Sequence, residues 1–182
     1  LWRWMDKVNL EKKVVLITTG GTIASQRDPK PGLFNPNLVT GTDLTKAVPG
    51  GMKFSYQVVR PFMMPSAHIG LEELKKLAKT IEEQFTDPQV AGIVVTHGTD
   101  TLEETAYFLD LVIDDSRPVV VTGSQRPLGE MSSDALNNLV TSFQTACSDD
   151  SKGRGVLVVF NNRIFAASGV IKVHTNNIDG FA

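Results

Sequence analysis

Apolar and polar positions along the 182-residue chain alternate between two rhythms. Short apolar runs rich in β-branched residues predict strands at residues 14–18, 54–59, 90–96, 118–122 and 155–160. Between them the apolar spacing lengthens to that of a helix. Leu71, Leu74, Ala78, Ile81 and Phe85 recur at steps of three and four and predict an amphipathic helix with that stripe inward. Residues 101–113 predict a second helix, and Leu136, Leu139, Val140, Phe143 and Cys147 mark a third. A short helix over 42–48, halted by Pro49, precedes the second strand. Residues 20–37, rich in Gly, Pro, Asn and charge, read as a long mobile loop. Asn161-Asn162 predicts a hairpin turn into a short extra strand over 163–166.

Strands that alternate with helices predict an α/β fold: a doubly wound, mainly parallel sheet with helices on both faces, three layers in all. Ligands of such sheets bind beyond the carboxyl ends of the strands. Three of those ends carry "TTGGTIA", "THGTDT" and "TGSQRP", so three strand exits rich in Gly, Thr and Ser are expected to point at one crevice. No internal repeat or low-complexity linker divides the chain. Residues 13–182 are therefore expected to form one α/β domain behind an N-terminal extension, 1–12.

Composition narrows the partners. With 41% hydrophobic and 21% charged residues the chain is that of an ordinary globular protein. A net charge of -2 gives no electrostatic reason for a nucleic-acid or membrane partner. No apolar run is long enough to span a bilayer. Cys147 is the lone cysteine, and His68, His97 and His174 lack ligand spacing, so no metal site and no cofactor are expected.

"TTGGTIA" fits poorly to a phosphate cradle. No lysine follows Gly21, as a G-x-x-x-x-G-K-[ST] loop requires. The spacing of a dinucleotide fingerprint is absent too, and the second strand ends at Arg60-Pro61 rather than at an acid. The glycines then either permit a tight turn capped by threonines, or mount a reactive hydroxyl. In "THGTDTLEET", Thr101 and Glu104 match a capping box for the following helix. That leaves Thr99 and Asp100 at the strand exit, where a carboxylate could hold a substrate ammonium. Ser124 and Gln125 either line the crevice or finish their strand.

"TTGGTIA" together with "VVTHGTDTLEETAYFLDL" resembles the bacterial-type L-asparaginase family, which includes the glutaminase-asparaginases. "RPVVVTGSQRP", "SSDALNNL", "GRGVLVVFNNRI" and "GVIKVHT" follow in the family's order. The resemblance implies an amidohydrolase acting on L-asparagine, with L-glutamine as a second candidate. It implies that Thr22 is the nucleophile, that Thr99, Asp100 and Lys172 form its relay, and that Ser66 and Asp100 bind the substrate's α-carboxylate and α-amino groups. The chemistry suits these residues. A threonine hydroxyl is a poor nucleophile until a neighbour accepts its proton, and a desolvated lysine can serve as that base. The relay would play the part that His-Asp plays in serine hydrolases.

Two positions depart from the family. Phe34 stands where the family has a tyrosine in the mobile loop, and Ala67 follows Ser66 where the family often has a polar residue. The chain also ends ten residues after Lys172, whereas the family continues into a smaller second domain that supports a tetramer. The resemblance thus implies a homo-oligomer, dimer or tetramer, for the longer protein, and weak hydrolysis by these residues alone. A cytoplasmic location is expected, with the periplasm as the alternative. Two other functions fit the same motifs: a non-catalytic amino-acid-binding or assembly domain, and the asparaginase-like subunit of a tRNA-dependent amidotransferase, which the charge disfavours.

Overall fold

The computed structural model of the chain describes residues 12–24, 26–27, 34–35 and 55–182. The extension before residue 12, the expected helix over 42–48, most of the expected loop over 20–37 and the side chain of Phe34 lie outside the described residues. Six strands form one sheet: β1 (Lys13–Thr18), β4 (Ser55–Val59), β5 (Val90–Thr96), β6 (Val119–Thr122), β7 (Val156–Phe160) and β8 (Arg163–Ala166). Their order is β4-β1-β5-β6-β7-β8. All neighbours are parallel except β7 and β8. Two short strands, β2 (Gln26–Arg27) and β3 (Phe34–Asn35), pair as a separate antiparallel ribbon.

Helices α1 (Leu71–Phe85) and α2 (Leu102–Val112) cover one face and α3 (Ala135–Cys147) the other. The two-residue period of the strands divides the core. Val15, Ile17, Ile93, Val95, Val121 and Val158 pack toward α1 and α2, whereas Val14, Leu16, Val94, Val120 and Val159 pack toward α3. Each such fully buried aliphatic contributes about 1.5–3 kcal/mol. Central strands covered on both sides explain why they read as unbroken apolar runs.

The helices settle slightly differently from their apolar spacing. In α1 the buried stripe is Leu77, Ala78, Ile81 and Phe85, while Leu71 at the first turn is 57% exposed. In α3 the buried face includes Asn138 and Ser142 beside Leu139 and Phe143, so it is rotated away from Leu136 and Val140. The capping box expected of Thr101 and Glu104 does not form. The Thr101 hydroxyl instead donates to the Ser66 carbonyl at 2.9 Å. Asn161 and Asn162 both take positive φ, 48° and 61°, which gives the hairpin turn into β8 the backbone twist its strands need. Among the described residues no helix is long and apolar enough to cross a membrane.

Strand order reverses at β1: the chain passes from β1 outward to β4, then returns to β5 on the other side. In open α/β sheets the crevice at such a reversal is where ligands bind. The carboxyl ends of β1 and β5 flank it.

Candidate active site

Three threonines end three adjacent strands in register, Thr18 against Thr96 and Thr96 against Thr122. Beyond them the exits are tied together. Thr19 donates to the Thr96 carbonyl from its backbone N–H at 3.1 Å and its hydroxyl at 3.0 Å. His97 N–H reaches the Thr122 carbonyl at 2.8 Å, and Met64 N–H reaches the Thr19 carbonyl at 3.0 Å. The loops after β1, β4 and β5 therefore start from fixed positions.

After Thr19 the chain turns through Gly20 and Gly21 (φ 117° and 85°) into a single 3₁₀ turn, Thr22–Ala24. Ile23 and Ala24 are fully buried and anchor this turn, leaving Thr22 half-buried. Main chain meets main chain here: a Cβ on Gly21 would lie 2.5 Å from Gly98 Cα. A Cβ on Gly98 would lie 2.5 Å from Ser66 Oγ. Absent side chains thus let three loops converge, and Thr22, Ser66, Thr99 and Asp100 line one cleft of about 160 Å³. Asp100 also borders an adjoining cleft of about 280 Å³, whose wall is Lys172 to Thr175.

Asp100 is common to both clefts, and Lys172 reaches it from the second. Its Nζ donates to Thr99 Oγ1 at 2.8 Å and to Asp100 Oδ1 at 3.1 Å. The Lys172 side chain is 15% exposed and the Asp100 carboxylate 71%. Because Thr99 Oγ1 accepts from the lysine, its own hydroxyl hydrogen is available to a second partner in the cleft. The site residues expected from the sequence, Thr22, Ser66, Thr99, Asp100 and Lys172, are thus brought together from four segments of the chain.

Ser124 and Gln125 line neither cleft. The Ser124 hydroxyl donates to the Arg126 carbonyl at 2.7 Å, and the Gln125 and Arg126 N–H groups donate to the Asp134 carboxylate, each at 3.0 Å. This loop is held by its own contacts, which matches the strand-finishing alternative. Ala67 is exposed in the turn Ser66–His68.

Two residues beside the site were not singled out by the sequence. His97 is fully buried, its Nδ1 2.8 Å from the Gly98 carbonyl and its Nε2 3.1 Å from Thr105 Oγ1. A carbonyl only accepts, so Nδ1 carries the proton and the Thr105 hydroxyl donates to Nε2. Burial pushes the imidazole pKa down to about 4, against a smaller opposing effect of the Gly98 carbonyl. His97 is therefore a neutral strut under the Gly98–Thr99 peptide. Glu103, in the first turn of α2, accepts a hydrogen bond from the backbone N–H of Lys172. Among the described residues, no group of three His, Cys, Asp or Glu side chains could hold a metal ion.

Comparison with known proteins gives a consistent set of likenesses. The sequence model of one family, "Asparaginase, N-terminal", matches residues 13–182. An L-asparaginase of Bacillus licheniformis is 51% identical over 172 residues, 94% of this chain and 53% of that protein. A glutaminase-asparaginase of Acinetobacter glutaminasificans is 37% identical over 172 residues, 91% of this chain and 52% of its own length. The crystal structure of a probable cytoplasmic L-asparaginase from Campylobacter jejuni superposes with a TM-score of 0.88 at 34% identity, covering 94% of this chain and 53% of that one. The chain spans about half the length of these relatives.

Proposed function

The chain belongs to the bacterial-type L-asparaginase family, and from that premise we propose that it carries the reacting groups of an amidohydrolase converting L-asparagine to L-aspartate and ammonia. L-glutamine is the second substrate to test, since a relative at 37% identity is named a glutaminase-asparaginase. One observation supports the reading above the others. Lys172 Nζ lies within hydrogen-bond distance of both Thr99 and Asp100, more than 70 residues away in sequence, beside the cleft that holds Thr22 and Ser66.

In this reading Thr22 Oγ attacks the side-chain amide carbon of asparagine. Its proton passes to Thr99 as Thr99 gives its own hydrogen to Lys172, whose Nζ in the amine form accepts across the same 2.8 Å contact while Asp100 orients it. Backbone N–H groups around Thr22 and Thr99 stabilise the oxyanion of the tetrahedral intermediate. The relay returns the proton to the amide nitrogen as its bond to carbon breaks, releasing ammonia and leaving an aspartyl ester on Thr22. Water then attacks the ester carbon and gives one proton back to Thr22 Oγ, freeing aspartate. Ser66 binds the substrate's α-carboxylate and Asp100 its α-ammonium. The exposed carboxylate of Asp100 suits that second duty, since one oxygen faces Lys172 and the group remains open to the cleft.

Residues 13–182 form the N-terminal domain of this enzyme, which works as a homo-oligomer, dimer or tetramer. A cytoplasmic location is part of the same reading, supported by the neighbour described as a probable cytoplasmic L-asparaginase. The test is ammonia release from asparagine and glutamine by the longest gene product carrying this chain, with Thr22→Ala and Lys172→Met alongside. Both substitutions are expected to lower turnover by at least about 10²-fold, the scale of losing positioned proton transfer. Undiminished turnover in Thr22→Ala removes the nucleophile assignment. Calorimetric binding of asparagine without ammonia release would favour the non-catalytic binding domain.

A further inference from the structure

Thr99 and Asp100 hold the tip of Lys172, but the segment carrying this lysine is separate from both strand exits and needs its own register. Residues 171–173 pair with 180–182 as a short antiparallel ladder. Ile171 and Ala182 exchange both backbone bonds, each 3.0 Å, and Val173 N–H donates to the Gly180 carbonyl at 2.8 Å. Lys172 and Phe181 are paired between them. In an antiparallel ladder that intermediate position is the one whose N–H groups point away from the partner strand. The ladder therefore fixes Ile171 and Val173 and leaves the Lys172 N–H facing outward, where it needs another acceptor.

Glu103 is that acceptor: its Oε2 takes the Lys172 N–H. Glu103 lies three residues after Asp100 and four after Thr99, on the same turn into α2. One segment thus grips the lysine twice, at its backbone and at its Nζ. Phe181, paired with Lys172, is 2% exposed and packs on Phe160 with ring centroids 4.7 Å apart, so the ladder itself is anchored in the core. Ile171 and Val173 face outward, 58% and 51% exposed.

We propose that Glu103 is a positioning residue for the relay: its carboxylate sets the backbone of Lys172 so that Nζ meets Thr99 Oγ1. It touches no reacting atom. The catalytic consequence rests on the amidohydrolase reading, whereas the clamp itself rests on the backbone geometry.

The test compares wild type, Glu103→Ala and Glu103→Gln in the longest gene product carrying this chain. Three quantities are read: hydrogen exchange of the Lys172 amide, kcat and KM for asparagine, and the urea midpoint. Glu103→Ala is expected to speed exchange at Lys172 roughly tenfold or more, as loss of a hydrogen bond to a charged group should. Its kcat is expected to fall about 10²-fold with KM little changed, the cost of misplacing a catalytic group by about 1 Å. Glu103→Gln keeps a carbonyl oxygen at the same reach and is expected to restore slow exchange and most of kcat. Equal exchange at Lys172 in wild type and Glu103→Ala would overturn the clamp. So would a loss of turnover that follows the urea midpoint and is no smaller in Glu103→Gln. If wild type releases no ammonia, the amidohydrolase reading fails, and the exchange comparison alone still upholds or overturns the clamp.

Discussion

Gly21 stands where β1 has left the sheet and the chain bends toward Thr22. Replacing it with alanine carries two separable penalties. At φ +85° an L side chain crowds its own carbonyl, a strain of about 1–2 kcal/mol. The added Cβ would also stand 2.5 Å from both Cα and N of Gly98. Those are main-chain atoms in a loop tied to the end of β5 and cannot rotate aside, so overpacking adds about 1–3 kcal/mol. Gly21→Ala is expected to lose about 2–5 kcal/mol, a large part of the roughly 5–15 kcal/mol typical of a folded domain. Two controls divide the sum. Gly153→Ala shares a positive φ (+68°) with nothing within 4 Å, so it bears the strain alone. Gly169→Ala meets neither a neighbour nor a positive φ and should change stability by no more than about 0.5 kcal/mol. The assay is urea unfolding followed by far-UV circular dichroism. With a slope of about 1–3 kcal/mol/M, Gly21→Ala should lower the midpoint by roughly 1–2 M and Gly153→Ala by about half as much. Equal shifts for these two variants would refute the close contact between the β1 and β5 exits, and with it the convergence that makes the cleft.

His97 gives the fold an acid dependence. Its native pKa of about 4 lies below the ordinary 6.5, so on acidification the unfolded chain takes up a proton that the native imidazole refuses. The associated stability is fully present above pH 6.5 and lost progressively as pH falls through about 4, a total of about 3 kcal/mol. Urea midpoints measured from pH 7 to pH 4 should show that slope in wild type and a flatter one in His97→Gln; parallel slopes would contradict a buried neutral imidazole. Asn138, fully buried, donates to the Gly123 carbonyl and to Asp134, each at 3.0 Å, and accepts from Asn161 N–H at 2.9 Å. Asn138→Leu preserves bulk but strands those partners, so a loss of about 2–4 kcal/mol is expected by chemical denaturation. A neutral or stabilising leucine would show that these bonds do not hold the loop.

Much of the fold was legible because the central strands are covered on both faces and therefore appear as β-branched apolar runs. Val14 to Ile17 and Ile93 to Val95 could hardly be anything else in a domain of this size. The helix faces were less legible, since spacing counts apolar residues and cannot see a polar one that is buried for its hydrogen bonds. Asn138 and Ser142 turn the buried face of α3 for that reason. Thr101 looked like a cap because the motif is local, whereas its actual partner is the Ser66 carbonyl, brought in by the convergence of the β4 and β5 exits. Thr22, Thr99, Asp100 and Lys172 were carried by the family resemblance rather than by spacing: no period in the sequence links Lys172 to Thr99. The struts beneath them, His97 and Glu103, had no signal of their own. A lone histidine in a strand exit and the first glutamate of "LEET" become informative only once their partners are known.

In the proposed reaction the Thr22 hydroxyl forms the covalent bond to substrate, relieved of its proton by the Thr99–Lys172 pair. Mass spectrometry of protein acid-quenched during turnover of asparagine tests it most directly. One aspartyl group is expected on the peptide containing Thr22 in wild type, and none in Thr22→Ala. An aspartyl group on the peptide containing Thr99, or undiminished ammonia release from Thr22→Ala, would contradict it.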